Sequence, residues 1–287
     1  MHPAPSVIVF TVLSGLGFGL MAYLAIDPPP AGWAAFLFWG LAYALAGVGL
    51  LASTFHLGNP QRAWRAFTQW RTSWLSREAW ASVATLVVLA PVALADVWGI
   101  PLRWTFALPG LVLAGLTVLA TAMIYTQIKA VPRWNSPLTP VLFLAFAGTG
   151  GAILSGQPFA ALAALGLAAV LRLAFVMGDG AFQRAGQTMG TATGLAGQVS
   201  VFEWPHTGDT YLLREMVHVV GRRHAEKLRL IAVVLAGIVP AAVLLLLPAH
   251  PVTTALAVAC HLSGAFAARW LFFAEAEHVV GLYYGRR

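Results

Sequence analysis

The stretch from Ala232 to Pro248 reads AVVLAGIVPAAVLLLLP and contains no polar side chain. Coiled as a helix, it is apolar on every face, which is typical of a segment surrounded by lipid and not of the half-buried surface of a soluble domain. A membrane barrel requires segments of about ten residues that alternate between apolar and polar, and this stretch does not alternate. It therefore predicts a transmembrane helix.

The rest of the chain has the same character. Of its 287 residues, 59% are hydrophobic and only 9% are charged, whereas charged residues make up about a quarter of a soluble domain. A helix needs about 20 residues to cross a hydrocarbon core of about 30 Å. We therefore predict an all-α integral membrane protein of about eight transmembrane helices without a large soluble domain. The predicted spans are 6–26, 34–55, 79–98, 105–126, 138–155, 158–177, 228–248 and 252–273.

Short and long connections alternate between these spans. The short ones join the helices into four hairpins, so every long connection, including the basic loop 178–227, emerges on the opposite face. That face carries sixteen of the seventeen Lys and Arg residues, and only Arg103 lies at the hairpin tips. Because Lys and Arg in short loops mark the cytoplasmic side of a membrane, we predict that the basic face and both termini are cytoplasmic.

The loop 178–227 divides into two parts. Residues 178–200 are rich in Gly, Thr, Gln and Ala, which predicts a flexible or re-entrant segment. From Asp209 onward apolar residues recur at helical spacing and predict an amphipathic helix. Two roles stay open for this helix, which either lies in the headgroup layer or docks a soluble partner. Its apolar positions are Leu212, Leu213, Met216, Val217 and Val220.

The cysteine and histidine positions limit the redox groups that the chain can hold. Cys260 is the single cysteine, so neither a disulfide nor an iron–sulfur or zinc site is expected. A b-type haem between helices needs two histidines at matching depth, and only His261 lies deep within a predicted span. We therefore expect no haem and no metal in this chain. His261 is either a functional group in lipid or the hydrogen-bond partner of a neighbouring helix.

Polar and aromatic residues are densest between the second and third predicted helices, in STFHLGNPQRAWRAFTQWRTSWLSREAW, residues 53–80. His56 closes one helix and Glu78 opens the next, so we expect both at the cytoplasmic edge of the membrane. An imidazole changes charge near neutral pH, and a partly buried carboxylate can take or deliver a proton. The two residues suit a quinone site, because such a site must admit the apolar quinone tail from lipid and exchange protons with water.

The predicted quinone site has four further members, which would shape or polarise the pocket: Arg71, Arg77, Trp74 and Tyr125. Each candidate also has an ordinary explanation. His56 can satisfy backbone carbonyls at a helix end, and Glu78 is favoured by the dipole of a helix that begins there. The aromatic residues can form an interfacial belt, and the arginines can set the orientation of the chain in the membrane.

Two arginines fall inside the cytoplasmic ends of predicted spans. Arg172 lies in the sixth span and Arg269 in the eighth. Long basic side chains at such positions can extend to the headgroups. They can also pair with a carboxylate, for which Glu78 and Glu275 are the candidates. Both explanations stay open from the sequence.

Three motifs carry a resemblance to a known family: HLGNPQRAW at 56–64, SWLSREAW at 73–80 and MIYTQIKAVPRWNSPLTP at 123–140. Together they make the chain similar to the membrane anchor subunit of dimethyl sulfoxide reductase, the DmsC-like family, with a looser likeness around Arg269. In that family the anchor has eight transmembrane helices, carries no haem and binds menaquinol or ubiquinol. It sits beside a ferredoxin-like iron–sulfur subunit that relays electrons to a molybdopterin subunit. The resemblance implies that the family's quinol-site histidine and glutamate correspond to His56 and Glu78.

Two regions depart from that anchor, namely HTGDTYLLREM at 206–216 and RWLFFAEAEHVVGLYYG at 269–285. Together with the opening MHPAPSVIVFT, they resemble the branch of sulfite-oxidising molybdoenzymes (SoeC-like). This branch implies electron flow from sulfite into the quinone pool, with the partner subunits on the cytoplasmic side of a bacterial inner membrane. Reduction of dimethyl sulfoxide is the competing expectation.

Two other functions stay open from the residues alone. A secondary transporter would place its site near the bilayer midplane on broken helices, for which Pro91, Pro109 and Pro240 offer breaks. A purely structural anchor would have no quinone site at all.

Overall fold

The computed structural model describes residues 1–101, 104–203, 205–206, 208, 210–216 and 224–285, without the side chains of His56 and Trp104. Arg103, the basic residue of the hairpin tips, lies outside the described residues. In the described part of the chain the regular structure is helical and contains no strand, which confirms the all-α fold. The long helices are α1 Pro5–Ile26, α2 Trp33–Ala52, α3 Trp74–Trp98, α4 Trp104–Thr126, α5 Leu138–Leu154, α6 Ala160–Gly178, α7 Ala225–Leu246 and α8 Pro251–Ala274.

Seven of these helices have the length and composition to cross a membrane. They contain 19 to 25 residues, in agreement with the about 20 that a bilayer core requires. The helix α5 is apolar but has 17 residues, which corresponds to about 26 Å. The prediction of an all-α membrane protein is confirmed, with seven full-length spans among the described residues and α5 slightly shorter.

The helix α3 starts earlier than its hydropathy indicates. It begins at Trp74, with Ser73 in extended conformation before it, and not at residue 79 as predicted. The segment WLSREA contains good helix formers, so the helix continues beyond its apolar part. Glu78 therefore lies in the second turn of α3 and does not open the helix.

The helix α1 lies at the centre of the bundle. It contacts α2, α4, α5 and α8, and 67% of its apolar window is buried, against 28–44% for the other six spans. Glycines at the contacts of α1 with its neighbours permit this central position. A Cβ on Gly19 would overlap the carbonyl oxygen of Ala147 in α5, and a Cβ on Gly49 of α2 would overlap the backbone of Ser14. Small residues are what allow helix backbones to approach closely in lipid.

Gly19→Ala is expected to destabilise the bundle by about 1–3 kcal/mol, because overpacking displaces α1 from α5. The measurement is the thermal midpoint of the detergent-solubilised chain. Gly148→Ala is the matched control on α5, since a Cβ there meets nothing within 4 Å. Equal midpoints for the two variants would contradict the close approach of α1 and α5.

The connections gather at two ends of the bundle. At one end the short connections meet, where Gln157 Nε2 donates to Asp27 Oδ2 at 3.1 Å. At the other end the N-terminal amine of Met1 donates to the carbonyl oxygen of Ala276 at 2.8 Å, and His2 N donates to the carbonyl oxygen of Glu215 at 2.7 Å. We call this second end, which holds the long connections and residues 275–285, the basic face.

The long loop packs on the C-terminal segment at the basic face. The Tyr283 hydroxyl donates to the carbonyl oxygen of Ala192 at 3.0 Å, and His206 stacks on Tyr284 with ring centroids 6.2 Å apart. The part predicted to be flexible or re-entrant contains two short helices, Ala181–Arg184 and Met189–Thr193. The predicted amphipathic helix begins at Tyr211 and is described to Glu215. Its continuation through Val217 and Val220 lies outside the described residues.

Candidate functional site

A buried carboxyl lies between α3 and α4 near the basic face. Only 4% of Glu78 is exposed, and its Oε1 accepts a hydrogen bond from Thr121 Oγ1 of α4 at 2.9 Å. Thr121 Oγ1 also lies 3.0 Å from the carbonyl oxygen of Thr117. An ionisable residue at such a position in a membrane protein is a functional candidate.

The hydrogen bond between Glu78 and Thr121 can form whether the carboxyl is ionised or protonated. A threonine hydroxyl has one hydrogen to donate and lone pairs to accept. When Glu78 is ionised, Thr121 donates to it. When Glu78 is protonated, its O–H can donate to Thr121, which then donates to the Thr117 carbonyl. The Glu78–Thr121 hydrogen bond can therefore persist when Glu78 gains or loses a proton.

Polar contacts continue from Glu78 along one face of α3 and then stop. Thr85 Oγ1 and Thr117 Oγ1 are 3.0 Å apart and buried. The next inward positions on this face of α3 are Leu89 and Val92, and neither is exposed. At the far end of the helix Asp96 accepts a hydrogen bond from Trp39 Nε1 at 2.9 Å. The polar neighbours of Glu78 therefore extend only as far into the bundle as Thr85 and Thr117, and an apolar stretch separates Glu78 from Asp96.

Tyr125 lies one turn beyond Thr121 on α4 and is enclosed by aromatic rings. It is 8% exposed, and its closest ring centroids are at 5.3–5.7 Å: Phe272, Trp134, Phe273 and Phe143. Tyr125 lies within electrostatic range of both Arg269 and Glu78. It is therefore a core residue of this region and not an interfacial anchor.

Arg269 is a buried cation that packs against aromatic rings. It is 4% exposed, and its guanidinium carbon lies 3.7 Å from the centroid of the Phe143 ring. Within the described residues no carboxylate lies within 4 Å of it, so both expectations for Arg269, extension to the headgroups and pairing with Glu78 or Glu275, are wrong. Arg172 is exposed, as expected of a side chain that extends to headgroups.

The second group of predicted residues lies at the start of α3, where Arg77 lines an open groove. Arg77 donates through Nε to the carbonyl oxygen of Trp70 at 3.0 Å and through Nη2 to that of Arg71 at 2.7 Å. Its guanidinium carbon lies 4.4 Å from the Trp74 ring centroid. The groove has a volume of about 450 Å³ and is lined by Phe67, Trp70, Arg77 and Trp80.

The six predicted site residues therefore do not share one pocket. Arg77 and Glu78 are adjacent on α3, but successive side chains of a helix point about 100° apart. Arg77 lines the groove and contacts Arg71 and Trp74, whereas Glu78 and Tyr125 lie inside the bundle. The backbone of His56 ends the 3₁₀ turn Ser53–His56 after α2, and its side chain lies outside the described part of the structure.

Two buried polar residues near the basic face were not chosen as site residues from the sequence, Thr121 beside Glu78 and Arg269 in α8. A signal for the first exists, because Thr117, Thr121 and Tyr125 are spaced by four and form a polar stripe on an otherwise apolar span. For Arg269 the sequence shows how deep the residue lies in its predicted span, but not which side chains it contacts. Its contact with Phe143, 126 positions earlier in the numbering, is a property of the packed bundle.

Four charged residues form an ion-pair network where α6, α7 and α8 meet the α4–α5 connection. Arg133 Nη2 lies 2.5 Å from Glu275 Oε2, and Arg229 Nε lies 2.6 Å from Glu275 Oε1. Arg229 also contacts both carboxylate oxygens of Asp179 at 2.8 and 2.5 Å. Burial opposes ionisation of Asp179, but the Arg229 guanidinium and then Arg133 hold the pKa of this carboxyl below its usual value.

His261 joins two helices in the membrane interior. Its Nδ1 donates to the carbonyl oxygen of Ala236 at 2.8 Å, which lies in a π-helical turn of α7, Val234–Ile238. Of its two expected roles, the structure shows the bond to a neighbouring helix. In the described part of the chain no group of three or more His, Cys, Asp or Glu side chains is arranged to hold a metal ion.

Comparisons with known proteins extend these observations. Residues 1–274 match the family model of the DMSO reductase anchor subunit (DmsC). The C subunit of sulfite dehydrogenase from Allochromatium vinosum is 33% identical, and the alignment covers 99% of both sequences. The C subunit of anaerobic dimethyl sulfoxide reductase from Escherichia coli (strain K12) is 30% identical over 39% of the present sequence and 40% of its own length. No solved structure matches the protein.

Proposed function

From the premise that the chain belongs to the DMSO reductase anchor subunit (DmsC) family, we propose that it is the quinone-reactive membrane anchor of a molybdopterin and iron–sulfur oxidoreductase. It exchanges electrons between the quinone pool and a ferredoxin-like iron–sulfur subunit, which is coupled to a molybdopterin catalytic subunit. The complex acts on a small sulfur compound. Its place is the inner membrane of a bacterium, with the basic face and both termini on the cytoplasmic side.

Sulfite oxidation is favoured over reduction of dimethyl sulfoxide. The similarity to the sulfite dehydrogenase subunit covers 99% of both sequences, whereas that to the dimethyl sulfoxide reductase subunit covers 39% of this one. The long loop and the C-terminal segment, which pack on each other at the basic face, are within the first alignment. In this direction the substrate delivers electrons and the anchor passes them to a quinone.

The observation that carries the quinone site is the buried pair of Glu78 and Thr121. Reduction of a quinone takes up two protons with two electrons, so a proton donor must lie near the quinone oxygens. We expect Glu78 to deliver a proton and take another, because Thr121 can hydrogen-bond to it in both protonation states. His56, which the resemblance pairs with Glu78, is the proposed hydrogen-bond partner of a quinone oxygen.

The groove beside Arg77 is the proposed access for the quinone ring. It is apolar and open and has exposed Trp70 and Trp80 on its walls, which suits a planar aromatic ring arriving from lipid. Arg77 Nη1 has no hydrogen-bond partner among the described residues, so it can donate to a quinone oxygen, while Arg71 and Trp74 fix the guanidinium. Glu78 lies on the adjacent side of the same helical turn.

The basic face is the proposed docking surface for the iron–sulfur subunit. Glu78, the groove, the long loop and residues 275–285 all lie at this end of the bundle. The nearest cluster of the partner must approach the quinone site closely for electron transfer. A partner that bound at the hairpin tips would be separated from Glu78 by the apolar stretch of α3 that contains Leu89 and Val92.

A fluorescent quinol analogue tests the site directly in the assembled complex. We expect its fluorescence to be quenched on binding and restored by excess quinol. Trp80→Ala should weaken binding about tenfold, because it removes one aromatic wall of the groove. Trp98→Ala is the matched control, because Trp98 is also an exposed tryptophan and lies at the opposite end of α3.

The outcome separates the three functions considered from the sequence. Absence of analogue binding to an intact complex would favour a purely structural anchor. Purification of this protein without iron–sulfur and molybdenum subunits would favour a transporter. Reduction of quinone by sulfite in membranes, lost when the protein is deleted, is the expected result for the sulfite branch, and reduction of dimethyl sulfoxide by quinol is the competing one.

A further inference from the structure

A small cavity lies between α1, α5 and α8, separate from the proposed quinone site. Its volume is about 20 Å³, and its lining is apolar except for His261 and Arg269. These two residues are eight positions apart, so they lie on one face of α8. Phe143 and Phe146 line the cavity from α5, and Arg269 contacts both rings, at 3.7 and 5.7 Å from guanidinium carbon to centroid.

Arg269 is the group in this cavity that needs a partner. It is 96% buried, and within the described part of the chain it donates no hydrogen bond and has no carboxylate within 4 Å. Glu275, the carboxylate closest to it in sequence, is engaged by Arg133 and Arg229. Contacts with aromatic rings offset part of the cost of burying a cation. A buried charge nevertheless requires an opposite charge or hydrogen-bond acceptors.

The cavity selects the kind of partner that fits. About 20 Å³ has room for one particle of the size of a water molecule, so it excludes a quinone ring, a lipid headgroup and a carboxylate side chain of another subunit. His261 Nδ1 is already bonded to Ala236, which leaves Arg269 as the donor for an occupant.

We propose that Arg269 binds a monatomic anion of the size of chloride in this cavity. The anion is the counter-ion of the buried guanidinium and holds α8 against α1 and α5. The site rests on the burial of Arg269 and on the cavity, and it is independent of the proposed quinone chemistry.

The test is the anion dependence of thermal stability in the detergent-solubilised complex. For this measurement a fluorescent protein is fused to the C-terminus of the chain. The fraction of complex that remains folded after heating is then read from its fluorescence in size-exclusion chromatography. Chloride and bromide are compared with gluconate at equal ionic strength. We expect the halides to raise the midpoint by about 3 °C or more, because an ion that binds only the folded state stabilises it.

Two variants assign the effect to the cavity. Arg269→Gln should abolish the difference between halide and gluconate. Arg172→Gln, which changes an exposed arginine at a similar depth in α6, should retain it. Equal midpoints of the unaltered protein in chloride and gluconate would overturn the proposal, as would an unchanged halide effect in Arg269→Gln.

A direct measurement covers the case in which Arg269→Gln does not fold. Crystals of the unaltered complex in bromide should show anomalous density in the cavity beside Arg269. A cavity that contains only water at saturating bromide would overturn the proposal.

Discussion

Replacing Glu78 with Gln is expected to lower quinone-linked turnover of the assembled complex by about 100-fold or more. A positioned proton donor or acceptor contributes about 10²–10⁴-fold to the rate, and an amide cannot carry the proton. Gln has the same shape and can still hydrogen-bond Thr121, so assembly should be unaffected. The measurement is sulfite-dependent quinone reduction in membranes, normalised to the activity of the complex with an artificial electron acceptor.

Asp96→Asn is the matched control for this variant. Asp96 is also a buried carboxyl on the inner face of α3, but it lies at the hairpin-tip end and is bonded to Trp39. Its replacement should leave quinone reduction within about twofold, because Leu89 and Val92 separate it from Glu78. Full quinone-linked activity in Glu78→Gln would show that this carboxyl is not the proton donor. Equal losses in both variants would indicate a general effect on α3.

Replacing Glu275 with Gln is expected to destabilise the chain by about 3–5 kcal/mol. Removal of one member of a buried ion pair leaves the other charge uncompensated. The Glu275 side chain is 5% exposed and contacts both Arg133 and Arg229. Two guanidinium groups therefore lose their buried partner at once and keep only the more exposed Asp179. The thermal midpoint of the solubilised chain should fall by about 10 °C, and the connection of α8 to α6 and α7 at the basic face should loosen.

Asp179→Asn is the control within the same network. Asp179 contacts the same two arginines, but its side chain is 52% exposed. Solvent screens such a pair, so a loss of about 1 kcal/mol or less is expected. A midpoint in Glu275→Gln equal to that in Asp179→Asn would mean that burial does not determine the strength of this network.

The sequence was sufficient for the class of protein and for the family. Hydropathy is a local property, and a segment such as residues 232–248 requires lipid whatever its neighbours are. The motifs at 56–64, 73–80 and 123–140 are contiguous and therefore visible without a structure, and the match to the family model over residues 1–274 confirms the resemblance. The deep position of His261 and its two alternative roles, a functional group or a hydrogen-bond partner of a neighbouring helix, could also be predicted from the sequence.

The pairing of Glu78 with Thr121, the burial of Arg269 and the network around Glu275 could not be predicted. Helices such as α1 and α5 are apolar on nearly every face, so their periodicity does not indicate which face turns inward. The partners in the network are 46 to 142 residues apart in sequence. Which side chains meet depends on the rotation and packing of the helices, which close contacts such as that of Gly19 with Ala147 determine. The sequence alone thus determined that these helices lie in a membrane and to which family they belong. Only the tertiary structure decided which polar groups they bring together, because lipid-facing and partner-facing surfaces are equally apolar.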